Sequence, residues 1–286
     1  MKRIVILVCI LMLLSGCACQ QENYDIAATS LPVYQFTAML CDGTDLTVTR
    51  LITESVSCLH DYSITVNQVR ALESAKTVVV SGAGLEDFMT DTIAGKDILD
   101  SSRNVSLLEA CHDHSHEEHH HGHDPHIWLS PVNAIKMAEN ICAGLTARYP
   151  QYKNTFDTNH AKLNQQLQDL LDYGRSQLGQ LTSRKLITFH DGFSYFADCF
   201  DLTILAAVEE ESGSETSAQE LIELIKLAAD HNVQAVFTEE NGSAASADIL
   251  SAETGTVIYA LSMAMSGEDY FAAMYHNIDT IREALG

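Results

Sequence analysis

The sequence has few basic residues, few prolines and few aromatic residues. Lysine plus arginine number 16 against 39 aspartate plus glutamate, which gives a formal net charge of −23 at pH 7. Such a surface repels phosphate backbones and argues against a nucleic-acid binder. With only 4 prolines, 15 glycines and 46% hydrophobic residues, collagen-like, low-complexity and wholly disordered chains are also excluded. The 286 residues suffice for one large domain or two lobes of ordinary size.

No apolar run reaches the roughly 20 residues that a membrane-spanning helix needs. The run from Ile4 to Leu14 follows Lys2 and Arg3, which is typical of a secretory signal. It leads into Leu14-Ser15-Gly16-Cys17, which looks like a bacterial lipobox. An ordinary signal peptide with a chance cysteine is the alternative. We expect residues 1–16 to be removed, Cys17 to be lipidated and residues 17–23 to form a tether. The body would then lie outside the cytoplasm, anchored to the outer face of the cytoplasmic membrane.

Eight cysteines are present. Cys9 leaves with the signal and Cys17 takes the lipid. The remaining six are Cys19, Cys41, Cys58, Cys111, Cys142 and Cys199. An extracytoplasmic compartment permits disulfides among them, and the sequence does not select a pairing. Buried free thiols are the alternative for Cys142 and Cys199, and the absence of a CxxC spacing argues against a cysteine zinc knuckle.

Short apolar runs alternate with helical patterns along the chain, which predicts parallel βαβ units and an α/β fold. We expect an N-terminal lobe over residues 24–149, a long rigid linking helix over 150–182 and a C-terminal lobe over 183–286. Each lobe would hold a small parallel sheet flanked by helices. In the first lobe, Pro32 is expected to end the first strand and Val105 to Leu108 to form the last one.

Seven of the 13 histidines lie between residues 112 and 123. They are His112, His114, His116, His119, His120, His121 and His123. The segment contains no apolar residue, so it cannot pack and is predicted to be a mobile loop. Because neutral imidazoles bind divalent metals such as Zn²⁺, we expect several weak sites that collect or sense zinc. A purification tag is the alternative; the internal position and the interleaved acidic residues argue against it.

Three further histidines are separated along the chain: His60, His126 and His190. The predicted strands place His190 at the end of a strand, where open α/β sheets bind ligands, and His60 follows the second strand. Each alone could be a hydrogen-bonded structural histidine. Together, beside a histidine-rich loop, they indicate metal ligands, and Asp61 and Asp191 could orient two of the rings.

Three motifs occur in a fixed order behind the lipobox. Ser81-Gly82-Ala83-Gly84-Leu85-Glu86 follows the third predicted strand, Asp124-Pro125-His126-Ile127-Trp128 follows the histidine-rich insertion, and Thr188-Phe189-His190-Asp191 follows the long helix. With this order, the chain from about Tyr24 to its C-terminus resembles the zinc-specific solute-binding proteins of ABC importers, the ZnuA/AdcA-like group of cluster A-I. The resemblance implies two lobes with a metal cleft between them. His60 and His126 from the first lobe and His190 from the second would be the ligands.

The family often has a carboxylate at a fourth position, which in this chain aligns with Ser262. Either water completes a tetrahedron, or Glu239 or Glu240 reaches in from the neighbouring strand end. We favour water, with Glu239 orienting a ligand or binding occasionally. Three imidazoles and few carboxylates favour Zn²⁺ over Mn²⁺, which prefers oxygen-rich sites.

The expected function is therefore capture of Zn²⁺ and its delivery to an ABC permease in the membrane by a monomer, with no bond-making step and no enzyme activity. A surface metal buffer or adhesin is one alternative. A secreted zinc hydrolase is another, because three histidines and a water can also be catalytic. The only HExxH match, His116 to His120, lies in the histidine-rich segment, which is predicted to be a mobile loop and not the helix that this zinc-hydrolase motif needs. The chain contains no GxSxG.

Overall fold

Two four-stranded parallel sheets, each flanked by helices, form the protein. The computed structural model describes residues 23–54, 59, 62–109, 123–208, 216–240, 242 and 244–286. The predicted signal segment, the predicted lipidation site Cys17, His60 and most of the histidine-rich segment lie outside these residues.

The first lobe contains four strands in the spatial order β2-β1-β3-β4, all of them parallel. The strands are β1 (Ile26–Ala28), β2 (Val48–Arg50), β3 (Thr77–Val80) and β4 (Asp97–Asp100). The helices around this sheet are α1 (Leu31–Cys41), α2 (Val66–Ser74), α3 (Thr90–Ile93) and α4 (Pro131–Arg148).

The second lobe repeats this arrangement in the order β6-β5-β7-β8, again parallel throughout. Its strands are β5 (Lys185–Thr188), β6 (Thr203–Ala207), β7 (Ala235–Glu239) and β8 (Val257–Leu261). Its helices are α6 (Ser194–Cys199), α7 (Ala218–Asp230), α8 (Ala245–Thr254) and α9 (Tyr270–Leu285).

Helix α5 (Lys153–Leu178) joins the lobes. It packs against α1 and α4 of the first lobe and against α9 of the second. Its buried side includes Leu163, Leu167 and Leu170, and the main hydrophobic core continues past it into both lobes. The predicted fold class, two α/β lobes joined by a long helix, is confirmed. The exact domain boundaries stay a prediction.

The prediction that Pro32 ends a strand is wrong. Strand β1 ends at Ala28, and Pro32 lies in the first turn of α1. Proline fits there because the first N–H groups of a helix have no partner within the helix, so the missing donor costs nothing.

The predicted strand over Val105–Leu108 is also wrong. Those residues lie outside any strand, and the fourth strand of the sheet is β4. This edge strand reads Asp-Ile-Leu-Asp, so it lacks the apolar run that predicts a buried strand. Its first residue instead forms an ion pair with Arg148, whose Nε lies 2.6 Å from Asp97 Oδ2.

Cys41, Cys142 and Cys199 are free thiols, in agreement with the free-thiol alternative for the last two. Cys19, Cys58 and Cys111 lie outside the described residues. Within the part of the chain that the structure describes, no helix is both long enough and apolar enough to span a bilayer.

Candidate metal centre

His126 is held by the residue two positions before it. Asp124 Oδ1 accepts a hydrogen bond from the backbone N–H of His126 at 2.9 Å and lies 2.8 Å from its ring Nδ1. Both side chains are 4% exposed. Since a carboxylate oxygen only accepts, the proton of this contact belongs on Nδ1. A local turn therefore sets both the orientation and the tautomer of this imidazole.

Trp128, two residues after His126, forms hydrogen bonds with the second lobe. The indole ring lies 5.4 Å from the His126 ring, centroid to centroid, and is fully buried. Its Nε1 donates to the Met263 carbonyl at 2.8 Å, and its own carbonyl accepts from the Tyr270 hydroxyl at 2.7 Å. His126 thus lies on a segment of the first lobe that is bonded directly to the second.

A carboxylate from a neighbouring strand lies beside the His190 ring. It follows β5 by two residues, and its Nδ1 lies 2.8 Å from Oε1 of Glu239, the last residue of β7. Because β5 and β7 are parallel neighbours, their carboxyl ends meet at one edge of the sheet. The Glu239 side chain is 4% exposed and that of His190 is 13% exposed, so this edge opens slightly to solvent.

The two rings meet between the lobes. Their centroids are 5.3 Å apart and their planes cross at 84°. Gly192 makes this approach possible, because a Cβ there would lie 2.9 Å from His190 Cδ2, 3.1 Å from His126 Nδ1 and 2.5 Å from Met263 Cε. A side chain at this position would push the rings apart.

Both imidazoles have a carboxylate at Nδ1, so Nε2 is the nitrogen that each would offer to a metal. Carboxylates in this position orient metal-binding histidines and raise their basicity. Two imidazoles on one tetrahedral Zn²⁺, with Zn–N near 2.0–2.1 Å, have ring centroids roughly 5 Å apart. The geometry of the pair therefore suits a shared divalent ion.

Two of the three predicted ligands, His126 and His190, are among the residues that the structure describes. Across the described ranges, no group of three or more His, Cys, Asp or Glu side chains could hold a metal ion. His60 and Asp61 lie outside those ranges, and the roles of His60, His126 and His190 as metal ligands stay predictions. So does the orienting role of Asp191.

Ser262 and Glu240 have other partners. The backbone of Ser262 is paired with the Asn277 amide, with its N–H donating at 2.8 Å and its carbonyl accepting at 2.7 Å. The Ser262 hydroxyl accepts from the Ala264 N–H at 3.2 Å. The Glu240 carboxylate is about half exposed and lies 3.7 Å from His276 Nε2. Of the two glutamates, Glu239 is the one beside a predicted ligand.

Only the end of the histidine-rich segment is described. His123 forms an isolated antiparallel bridge with Glu109, and Asp124 donates its N–H to the Leu108 carbonyl at 3.0 Å. These contacts bring the two sides of the segment together just before His126. The other six histidines of the segment, between residues 112 and 121, lie outside the described residues.

Asp124 is a further residue of the site that had no predicted role. The local signal was its spacing in Asp124-Pro125-His126, because an Asp side chain commonly accepts a hydrogen bond from the backbone N–H two residues on. That motif was used only as a family resemblance.

The fold is that of a two-lobed solute-binding protein, and the paired histidines lie between its lobes. The chain belongs to the family described as ZnuA, zinc-uptake complex component A, periplasmic, whose model matches residues 26–284. The predicted family membership is thereby confirmed.

The chain is 31% identical over 307 residues to the zinc-binding lipoprotein AdcA of Streptococcus pneumoniae strain R6, covering 99% of this chain and 61% of that protein. The chain therefore spans less than two thirds of that relative. A crystal structure of ZnuA superposes with a TM-score of 0.80 at 27% identity, covering 93% of this chain and 100% of the other. The Zn(II)-bound ZnuA-like domain of Streptococcus pneumoniae AdcA gives a TM-score of 0.76 at 29% identity, covering 92% and 99%.

Proposed function

We propose that the protein is the extracytoplasmic receptor of an ABC importer that captures Zn²⁺ between its two lobes and delivers it to a membrane permease. His126 and His190 bind the ion from the first and second lobe. His60 is the third ligand and enters the proposal from the sequence alone. The reaction is binding and release, with no bond-making step.

One observation carries this proposal: two imidazoles 64 positions apart in the sequence approach to 5.3 Å, each with a carboxylate at Nδ1. A histidine with a purely structural role needs no second imidazole beside it. Here two imidazoles are adjacent, and each has its own buried carboxylate at Nδ1. A site built mainly from imidazole nitrogens favours Zn²⁺ over Mn²⁺, which prefers oxygen ligands. The zinc named in the family description and in the relatives' names agrees with this choice of ion.

The site does not need a carboxylate as a ligand. Glu239 is engaged at Nδ1 of His190, where it orients the ring, and a water molecule can complete a tetrahedron formed with three histidines. The family description as periplasmic and the relative named a lipoprotein support an anchored, extracytoplasmic location. In this proposal Cys17 carries the lipid and the histidine-rich segment 112–123 supplies zinc to the cleft.

A zinc titration in competition with a chelator tests the assignment. Changing a residue that only orients a metal ligand costs about 10- to 100-fold in affinity. We therefore expect His126→Ala and His190→Ala each to weaken tight binding by more than about 100-fold. His231→Ala is the matched control, because His231 is exposed and its Nδ1 contacts Lys185 Nζ at 3.2 Å, away from the cleft.

Retention of tight zinc binding by both cleft variants would refute the site. Delivery to a permease is tested separately, by growth under zinc chelation of a strain that lacks the gene. The wild-type gene should restore growth and the His190→Ala gene should not. Equal growth with both genes would leave a surface buffer or adhesin as the better account.

A further inference from the structure

The Tyr195 hydroxyl joins the two lobes at the metal cleft. Tyr195 is the second residue of α6 and belongs to the second lobe, where it is 3% exposed. Its hydroxyl accepts from the Leu108 N–H at 2.9 Å and donates to the Asp124 carbonyl at 2.9 Å. Both partners are backbone groups of the first lobe.

These partners belong to the segment that carries His126. The Asp124 carboxylate orients the His126 ring, and the Asp124 N–H is paired with the Leu108 carbonyl. On the other side, Tyr195 follows His190 by five residues. One hydroxyl therefore connects the backbone segment that carries one histidine to the segment that carries the other.

The hydroxyl is the only polar group of the tyrosine side chain, so it alone can make both contacts to the first lobe. A hydroxyl has one donor and can accept, and here both capacities are used. Burial raises the pKa of Tyr195 to about 12, so the donor proton is retained at neutral pH. A phenylalanine would fill the same space and would leave the N–H and the carbonyl without this buried partner.

We propose that Tyr195 is a positioning residue that sets the separation of His126 and His190 across the cleft, and thereby the affinity for the metal. The inference rests on the proposed function, since it concerns the same site. The lobes stay joined without this hydroxyl through the two Trp128 bonds and α5. Its loss should therefore shift the ligands locally and leave the fold intact.

Tyr195→Phe in the full mature chain tests this proposal. We expect zinc affinity to fall about tenfold, at the lower end of what loss of a ligand's supporting contact costs. The visible absorption spectrum of the Co²⁺-loaded protein should change, because that spectrum reports ligand geometry. Tyr173→Phe is the control: it also removes a tyrosine hydroxyl, which donates to Asp279 Oδ1 at 2.8 Å away from the cleft.

Wild-type affinity together with a wild-type Co²⁺ spectrum in Tyr195→Phe would overturn the proposal, and so would an equal loss in the Tyr173→Phe control. A wild-type protein that binds no zinc would instead refute the proposed function.

If Tyr195→Phe does not fold, hydrogen exchange on the wild-type protein tests the role of Tyr195 instead. Coupling between two sites is reciprocal, so zinc should strengthen the contact that helps to bind it. We expect zinc to slow exchange of the Leu108 amide. An unchanged rate at saturating zinc would overturn the proposal in that case.

Discussion

Each lobe has a buried glutamate near the carboxyl end of an inner strand of its sheet, and the two glutamates have different partners. In the first lobe, Thr29 follows β1 and its hydroxyl donates at 2.6 Å to Glu86, which follows β3. In the second lobe, His190 follows β5 and meets Glu239 at the end of β7. Strands β1 and β5 occupy equivalent places in the two sheet orders, as do β3 and β7.

The difference lies in the partners of each carboxylate. Glu86 also accepts from the N–H groups of Ser81 and Gly82, at 2.8 and 2.9 Å, so it fixes a turn of the backbone. Glu239 contacts an imidazole that has a second nitrogen for a metal. The carboxylate therefore fixes the backbone in the first lobe, and in the second lobe it lies beside a predicted metal ligand.

The contrast between Glu86 and Glu239 is tested most strongly by Glu239→Gln, for which we expect the largest loss of zinc affinity. A neutral amide holds the His190 Nδ1 proton less strongly, so we expect affinity to fall by about 10- to 100-fold, measured by chelator competition. Glu240→Gln is the matched control, because that carboxylate is about half exposed beside His276. Equal affinities for the two variants would show that the Glu239 contact does not serve the metal.

A smaller effect is expected from Gly192→Ala. The added methyl would meet His190 Cδ2 at 2.9 Å and Met263 Cε at 2.5 Å, so the His190 ring must move. We expect about a tenfold loss of zinc affinity, near the lower limit for disturbing a ligand's orientation. Because the Met263 methyl is the closest contact, Gly192→Ala/Met263→Ala should recover part of the loss. Full affinity in the single variant would contradict the close approach of the rings.

The smallest effect concerns Glu86 and the stability of the first lobe. Burial raises the pKa of Glu86 from 4.5 to about 7. Between these values the folded protein binds a proton that the unfolded chain does not, so this group's contribution to stability increases as pH falls. From pH 8 to pH 6 it should add about 1 kcal/mol to the free energy of unfolding of the metal-free protein.

Urea unfolding at both pH values measures this contribution. Glu86→Gln should lack it, so the difference in unfolding free energy between wild type and variant should depend on pH. The zinc affinity of the variant at pH 8 should match that of the wild type. A constant difference across pH would contradict the raised pKa, and a loss of zinc affinity would contradict the separation of roles between the lobes.

The repeated α/β pattern and the long helix were predictable because they depend on local periodicity. Helix starts also depend on neighbouring residues: Ser217 and Glu220 form a capping box at the start of α7. Strand β4 was missed because an edge strand with charged ends has little apolar character, and its place in the sheet comes from pairing with β3. The roles of His126 and His190 as metal ligands stay predictions; the structure shows that the two rings approach to 5.3 Å.

The amino-acid sequence by itself determined the alternation of strands and helices, the candidate ligands and the family, since these are properties of neighbouring residues and of motif order. Only the tertiary structure decided that Asp124 lies at Nδ1 of His126 and Glu239 at Nδ1 of His190, that Gly192 lets the rings approach and that Tyr195 joins the lobes beside them. The physical reason is that these contacts depend on distances of 2.8 to 5.3 Å between groups, most of them far apart in the chain, which packing of the two lobes sets.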